Sequence, residues 1–185
     1  MLRHYIGNSA PNHTPLTNRP DSMPNARHII DRFWETKRLA DMSQAEWEAL
    51  CDGCGRCCVV KLEDEDTGIV YPTSVSCRLL DTTSCRCTDY CNRHDRVPDC
   101  VKLDRDNVSN LGWLPETCAY RRLSEGHGLD WWHPLVSGDA RSVVEAGVSV
   151  SRRVMPETQV AEEDLVEFMV EWPAPRRAPR TRKRK

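Results

Sequence analysis

Polar and apolar positions alternate with a helical spacing first between Phe33 and Leu50. That stretch predicts two short helical pieces. Ser43 stands where the second piece begins, and Glu46 three residues on completes a capping box, with Trp47 and Leu50 on one side of the turn that follows. Asp52, Gly53 and Gly55 then break the pattern and predict a tight knuckle. The apolar run Val59 to Leu62, the acidic turn around Asp66, Thr67 and Gly68, and the run Ile69 to Tyr71 predict a hairpin. From Cys77 to Cys100 the chain is polar without a long period, so irregular loops are expected.

Further on, Pro115 and Glu116 suit the first turn of a helix running through Cys118, Tyr120 and Leu123, with Gly126 and Gly128 stopping it. The segment Trp131 to Leu135 is apolar and turn-forming and is expected to close the core. A strand around Val148 to Val154 and an acidic amphipathic helix near Glu162 to Val170 complete the pattern. These elements predict a small, irregular α+β single domain over residues 31–172. Residues 1–30 show no period and contain four prolines, which predicts a disordered extension. Pro173, Pro175 and Pro179 with the basic run after them predict a flexible tail over residues 173–185. No internal repeat is visible.

Composition changes the picture in one respect. Only 39% of the 185 residues are hydrophobic, mean hydropathy is −0.62, and ten residues are cysteine. A chain short of apolar material commonly adds disulfides or a structural metal. No apolar run is long enough for a membrane span, and the first thirty residues lack the apolar stretch of a secretory signal, so a reducing cytoplasm is expected. Thiols kept reduced there are more naturally metal ligands than disulfides.

All ten cysteines fall between positions 51 and 118. The spacing C-x-x-C-x-x-C-C at Cys51, Cys54, Cys57 and Cys58 lets neighbouring thiolates converge, as in zinc and iron–sulfur ligand runs. Thiolate-rich sites serve both metals, so the spacing leaves zinc, iron and an iron–sulfur cluster open. Adjacent Cys57 and Cys58 are awkward for one tetrahedral ion, because neighbouring side chains on an extended chain point apart. Cys77, Cys85, Cys87 and Cys91, followed by Cys100 and Cys118, allow a second four-thiolate site or one polynuclear site.

The residues Phe33-Trp34, Glu46-Trp47 and Cys51-Asp52-Gly53-Cys54-Gly55-Arg56-Cys57-Cys58 carry a resemblance that continues through Leu62 to Thr67, Val97 to Leu103, Trp113 to Arg121 and Trp132 to Leu135. Over residues 33–155 the chain resembles the bacterial YcgN-type cysteine-cluster family. The resemblance implies zinc or iron chelation, and its cysteine pattern implies Cys51, Cys54, Cys57, Cys58, Cys77, Cys85, Cys87, Cys100 and Cys118 as metal ligands. Cys91 departs from that pattern.

Other candidates are weaker. His94, between Cys91 and Cys100, could replace a thiolate, although a polar-loop histidine is more often solvated. His133 beside Trp132 and Pro134 is expected to pack and bond a backbone group. The run Glu63 to Asp66 lacks the alternation of a calcium loop. No phosphate loop, dinucleotide fingerprint or nucleophile elbow occurs, so no catalytic residue is indicated. Seven Arg or Lys after position 172 leave the rest of the chain acidic, so any nucleic-acid contact is expected from the tail alone. Two alternatives to simple metal binding follow. One is an iron–sulfur redox or accessory enzyme. The other is a zinc-stapled interaction module whose tail contacts nucleic acid.

Overall fold

The structure, a computed structural model, describes residues 2–4 and 32–179. Helix α1 (Phe33–Thr36) and helix α2 (Gln44–Ala49) are the two expected pieces. Ser43 begins α2 as its local chemistry requires. Its hydroxyl accepts the Glu46 amide at 3.3 Å, and the Glu46 carboxylate accepts the Ser43 amide at 2.8 Å. Trp47 then packs its ring 4.7 Å from that of Tyr120, whose hydroxyl donates to the Trp47 carbonyl.

The hairpin forms from β2 (Val59–Asp64) and β3 (Val70–Ser76), which pair antiparallel. Asp64 shapes the turn by accepting the Asp66 and Thr67 amides on one carboxylate oxygen. Strand β1 (Leu2–His4) adds to the outer edge of β2, inside the segment read as an extension. The rest of that segment, and residues 180–185 of the tail, lie outside the described residues. On the other side of β3 lies β4 (Met155–Pro156), in parallel, giving the order β1-β2-β3-β4. Helices α3 (Arg93–Arg96), α4 (Ala119–Ser124), α5 (Pro134–Ser137) and α6 (Ser142–Glu145) are short, and the architecture is α+β as expected. No described helix is long and apolar enough to cross a membrane.

Three expectations are corrected. Helix α4 begins at Ala119 and Cys118 is its cap, because Pro115 to Cys118 close a separate turn through the Cys118 amide and the Pro115 carbonyl. Val148 to Val154 do not form a strand. Their backbone groups are already used: the Val150 amide bonds the Cys54 carbonyl at 2.8 Å, the Val148 carbonyl accepts from Arg56, and the Arg152 amide bonds Thr82. Glu162–Phe168 is a 3-10 helix that buries only Leu165, and the chain after it lies along β3 through the Val170 amide and the Pro72 carbonyl.

Apolar burial is divided among four small clusters instead of one core. Phe33, Trp34, Trp47, Leu50, Leu114 and Tyr120 lead the first. Cys54, Trp132, Val143, Ala146 and Val148 make the second. Val59, Leu80, Cys85 and Val150 make the third, and Val60, Leu62, Val75 and Leu165 the fourth. The cysteine run 51–58 is where three of these meet: Cys57 packs on the first, Cys54 belongs to the second, and Cys58 packs on the third.

His133 joins the first two clusters. Its Nε2 lies 3.0 Å from the Leu50 carbonyl, and its Nδ1 accepts the Leu135 amide, so the ring is neutral with its proton on Nε2. Burial holds its pKa below the ordinary 6.5. The unfolded chain therefore takes up this proton first as pH falls. The stabilisation is fully present above about pH 6.5 and is lost as pH falls towards the folded-state pKa. We expect His133→Gln to be destabilised by about 2–4 kcal/mol at neutral pH. Urea midpoints at pH 7.5 and 5.5 should fall further on acidification in the wild type than in the variant.

Candidate metal centre

The knuckle is built by two glycines. Gly53 and Gly55 have φ of +71° and +78°, left-handed values that let the chain turn tightly between Cys51 and Cys57. Gly55 also has no room for a side chain. A Cβ there would stand 2.6 Å from a Val150 methyl and 3.3 Å from the Cys85 sulfur. Gly55→Ala is expected to lose about 2–4 kcal/mol from combined backbone strain and overpacking. Urea unfolding of the two chains in parallel measures the difference.

Residues Arg56–Cys58 form a 3-10 turn, and this corrects the expectation that adjacent cysteines must point apart. The Cys57 and Cys58 sulfurs stand 3.7 Å from each other. Two sulfurs bound to one tetrahedral ion at about 2.3 Å are roughly 3.8 Å apart, so this pair already has ligand spacing. Their shared hydrogen bond lowers the Cys57 pKa and raises that of Cys58.

Cys57 is the common neighbour of the first group. Burial of the sulfur, then the charge of Cys57, raises the Cys51 and Cys118 thiols to about 12, although Cys51 is exposed as a residue. Cys54, which is buried, is raised by burial and then by Asp52 and Cys57. Cys51, Cys54, Cys58 and Cys118 thus each lie within electrostatic reach of Cys57.

A second group follows. Cys77 is tied to the first by its amide, which bonds the Cys58 carbonyl at 2.9 Å. Cys87 lies opposite Leu80 in an isolated bridge, close to Cys77. Burial raises both Cys77 and Cys100, and each also senses the charge of Cys87. His94 is tied to the backbone of Cys100, with Nδ1 at 2.9 Å from its carbonyl and Nε2 buried without a hydrogen-bond partner.

Two cysteines remain, Cys85 against the knuckle at Gly55 and Cys91 at the surface. Cys85, at φ +54° in the tight turn closed by Asp81, directs its sulfur to the Ser149 hydroxyl at 3.5 Å inside the third cluster. Cys91 is exposed. No disulfide joins any of the ten cysteines. Among the described residues, no three Cys, His, Asp or Glu side chains stand in a ready-made coordinating group.

Asp52 and Lys61 were not singled out for the site by sequence reasoning. One Asp52 carboxylate oxygen accepts the Cys54 amide, while the other, Oδ2, is buried with no donor. Such an atom, beside several buried sulfurs, is an electron-pair donor lacking a cation, and this donor set fits a thiophilic divalent metal. Lys61 is buried on β2, three residues after Cys58. Its signal in the sequence was a lysine inside the apolar run Val59 to Leu62. Arg56, also buried, fastens the knuckle to the Val148 and Pro173 carbonyls, while the Arg176 amide bonds Ala146, so the first residues of the tail are docked on the body.

Fold and site together define a small α+β cysteine-cluster protein. Residues 50–119 match the family model CxxCxxCC, described as "Putative zinc- or iron-chelating domain". A UPF0260 protein of Rhodopseudomonas palustris strain HaA2 is 60% identical over 149 residues, covering 79% of this chain and 88% of the relative. UPF0260 proteins of Rhizobium etli strain CIAT 652 and Nitrobacter hamburgensis are each 56% identical, over 76% and 79% of this chain and 89% and 87% of their own. The chain belongs to the UPF0260 family of cysteine-cluster proteins, in agreement with the resemblance drawn from residues 33–155. No solved structure matches it.

Proposed function

We propose that this protein binds zinc or iron through thiolates and uses the metal to hold its domain together. The observation that carries the reading is the Cys57–Cys58 sulfur separation of 3.7 Å on a 3-10 turn, with Cys51, Cys54 and Cys118 around it. Cys51, Cys54, Cys57, Cys58 and Cys118 supply the ligands of the first centre, and the donorless Asp52 oxygen lies beside them. Metal uptake would draw the remaining sulfurs inward by side-chain rotation. The bound ion would supply cross-linking of the chain, and in the iron case electron transfer as well.

Cys77, Cys87 and Cys100 supply a second set. His94 completes it, since a ring nitrogen fixed on a backbone carbonyl leaves the other free to ligate, and three cysteines with one histidine are a common zinc set. Cys85 is left out because its sulfur is engaged with Ser149. A thiol-rich centre of this kind suits the cytoplasm.

Anaerobic purification followed by elemental analysis and a visible spectrum on one sample tests the reading. Stoichiometric zinc without colour, or iron with or without sulfide, supports it and settles which metal. A folded, reduced chain that retains neither metal and takes up neither from solution overturns it.

A further inference from the structure

Lys61 is 7% exposed and has no carboxylate within ion-pair distance among the described residues. Its ammonium donates to the Cys57 carbonyl at 2.9 Å and the Val59 carbonyl at 2.8 Å, and it stands 4.6 Å from the centre of the Trp113 ring. All three partners are neutral. They satisfy its hydrogens and favour its cationic form, but they do not cancel its charge, and a buried charge without a counter-ion costs several kcal/mol. A strand could carry an apolar residue here, as it does at Val59, Val60 and Leu62.

The bond to the Cys57 carbonyl places the ammonium beside the cysteine run; burial lowers its pKa, and the sulfurs of Cys57, Cys58 and Cys54 oppose that shift. A divalent ion held by three or four thiolates carries net negative charge, and a low-dielectric site makes that excess expensive unless a fixed cation stands beside it. We infer that Lys61 is the built-in counter-charge of the Cys51–Cys58 centre, a positioning residue that makes an anionic metal–thiolate complex affordable inside the protein. The inference rests on the metal-binding reading above. It adds that the centre is anionic, and that the protein around it is organised to expect that charge. The second group of thiols has no equivalent buried lysine among the described residues.

The benefit of the lysine depends on the metal. In the loaded protein Lys61 faces the full charge of the metal–thiolate complex, whereas in the metal-free protein Cys57 is the one sulfur neighbour whose pKa is lowered, and Cys54 and Cys58 are raised. Lys61→Met keeps the length and apolar stem and removes the charge. Lys61→Arg keeps the charge. Wild type and both variants would be prepared loaded and metal-free, with metal release to a chelator and urea midpoints measured on each.

We expect Lys61→Met to bind metal roughly 10–100-fold more weakly, the range seen when groups supporting metal ligands are removed. Lys61→Arg should retain more metal than Lys61→Met. The metal-free Lys61→Met chain should lose less stability relative to wild type than the loaded chain does. A residue that merely packs would weaken both forms alike, so equal loss of stability in the loaded and metal-free states overturns the inference. Equal metal retention by Lys61→Met and Lys61→Arg overturns it even if both variants are less stable. Failure of the wild type itself to hold zinc or iron is a different result, because it removes the metal-binding reading and the role of Lys61 with it.

Discussion

Stripping the metal from the native protein is expected to lower its melting temperature by at least about 10 °C and to open residues 51–118 to proteolysis. The reason lies in how apolar burial is distributed. The four clusters are small, and three of them touch one another through the backbone of the cysteine run. Without metal, that run is held by a handful of bonds, chiefly the Cys54 carbonyl to Val150, the Cys58 carbonyl to Cys77, and Arg56 to Val148. Each contributes only about 1 kcal/mol net. A thiolate-bound structural ion contributes roughly ten times as much in small zinc domains, and its loss separates the clusters from one another.

The first cluster has the best chance of surviving, since Phe33, Trp47, Leu114 and Tyr120 are its own buried members and Cys57 and Cys118 only pack against it. The expected product of chelation is therefore a partly ordered chain, with α2 and its surroundings retained and the loops from Cys77 to Cys100 released. Circular dichroism with limited proteolysis before and after chelation distinguishes this from the alternative. An unchanged spectrum and digestion pattern would contradict the stapling role.

What the sequence made legible was local. The Ser43–Glu46 box and the turn at Asp64 to Gly68 depend on residues within three or four positions, and both form as expected. The segment after Val148 failed for the opposite reason. Its alternation fits a strand, yet its hydrogen-bonding groups are taken by Cys54, Arg56 and Thr82, from 70 or more positions away. Periodicity carries no information about such distant partners.

The site divides in the same way. The spacing of Cys51, Cys54, Cys57 and Cys58 announces a shared centre, but which distant thiol joins it depends on the fold. Cys118, the cap of α4, lies within electrostatic reach of Cys57, whereas the Cys85 sulfur is set against Gly55 and Ser149. His133 was legible as a packed residue because it follows two tryptophans. The burial of Lys61 and the donorless oxygen of Asp52 were not, because both arise from surfaces brought together only in the folded chain.

The family resemblance implies Cys85 as a ligand, and its sulfur also faces the Ser149 hydroxyl. Comparison of three serine variants should resolve its role. Cys54→Ser is expected to lose about one ion per chain and most of the stability that the ion supplies, because a buried ligand is replaced by a hydroxyl that binds soft metals poorly. Cys91→Ser should retain wild-type metal, since the thiol is exposed and lies outside the family pattern. Cys85→Ser is the informative case. The resemblance counts it among the ligands, and the structure sets its sulfur against Ser149 and Gly55 inside an apolar cluster. We expect Cys85→Ser to keep its metal while losing about 1–2 kcal/mol of stability from the polar group placed there. Metal content and urea midpoint measured on the same preparations separate the two effects. Metal loss equal to that of Cys54→Ser would assign Cys85 to the centre and require the turn at residues 81–86 to rearrange when metal binds.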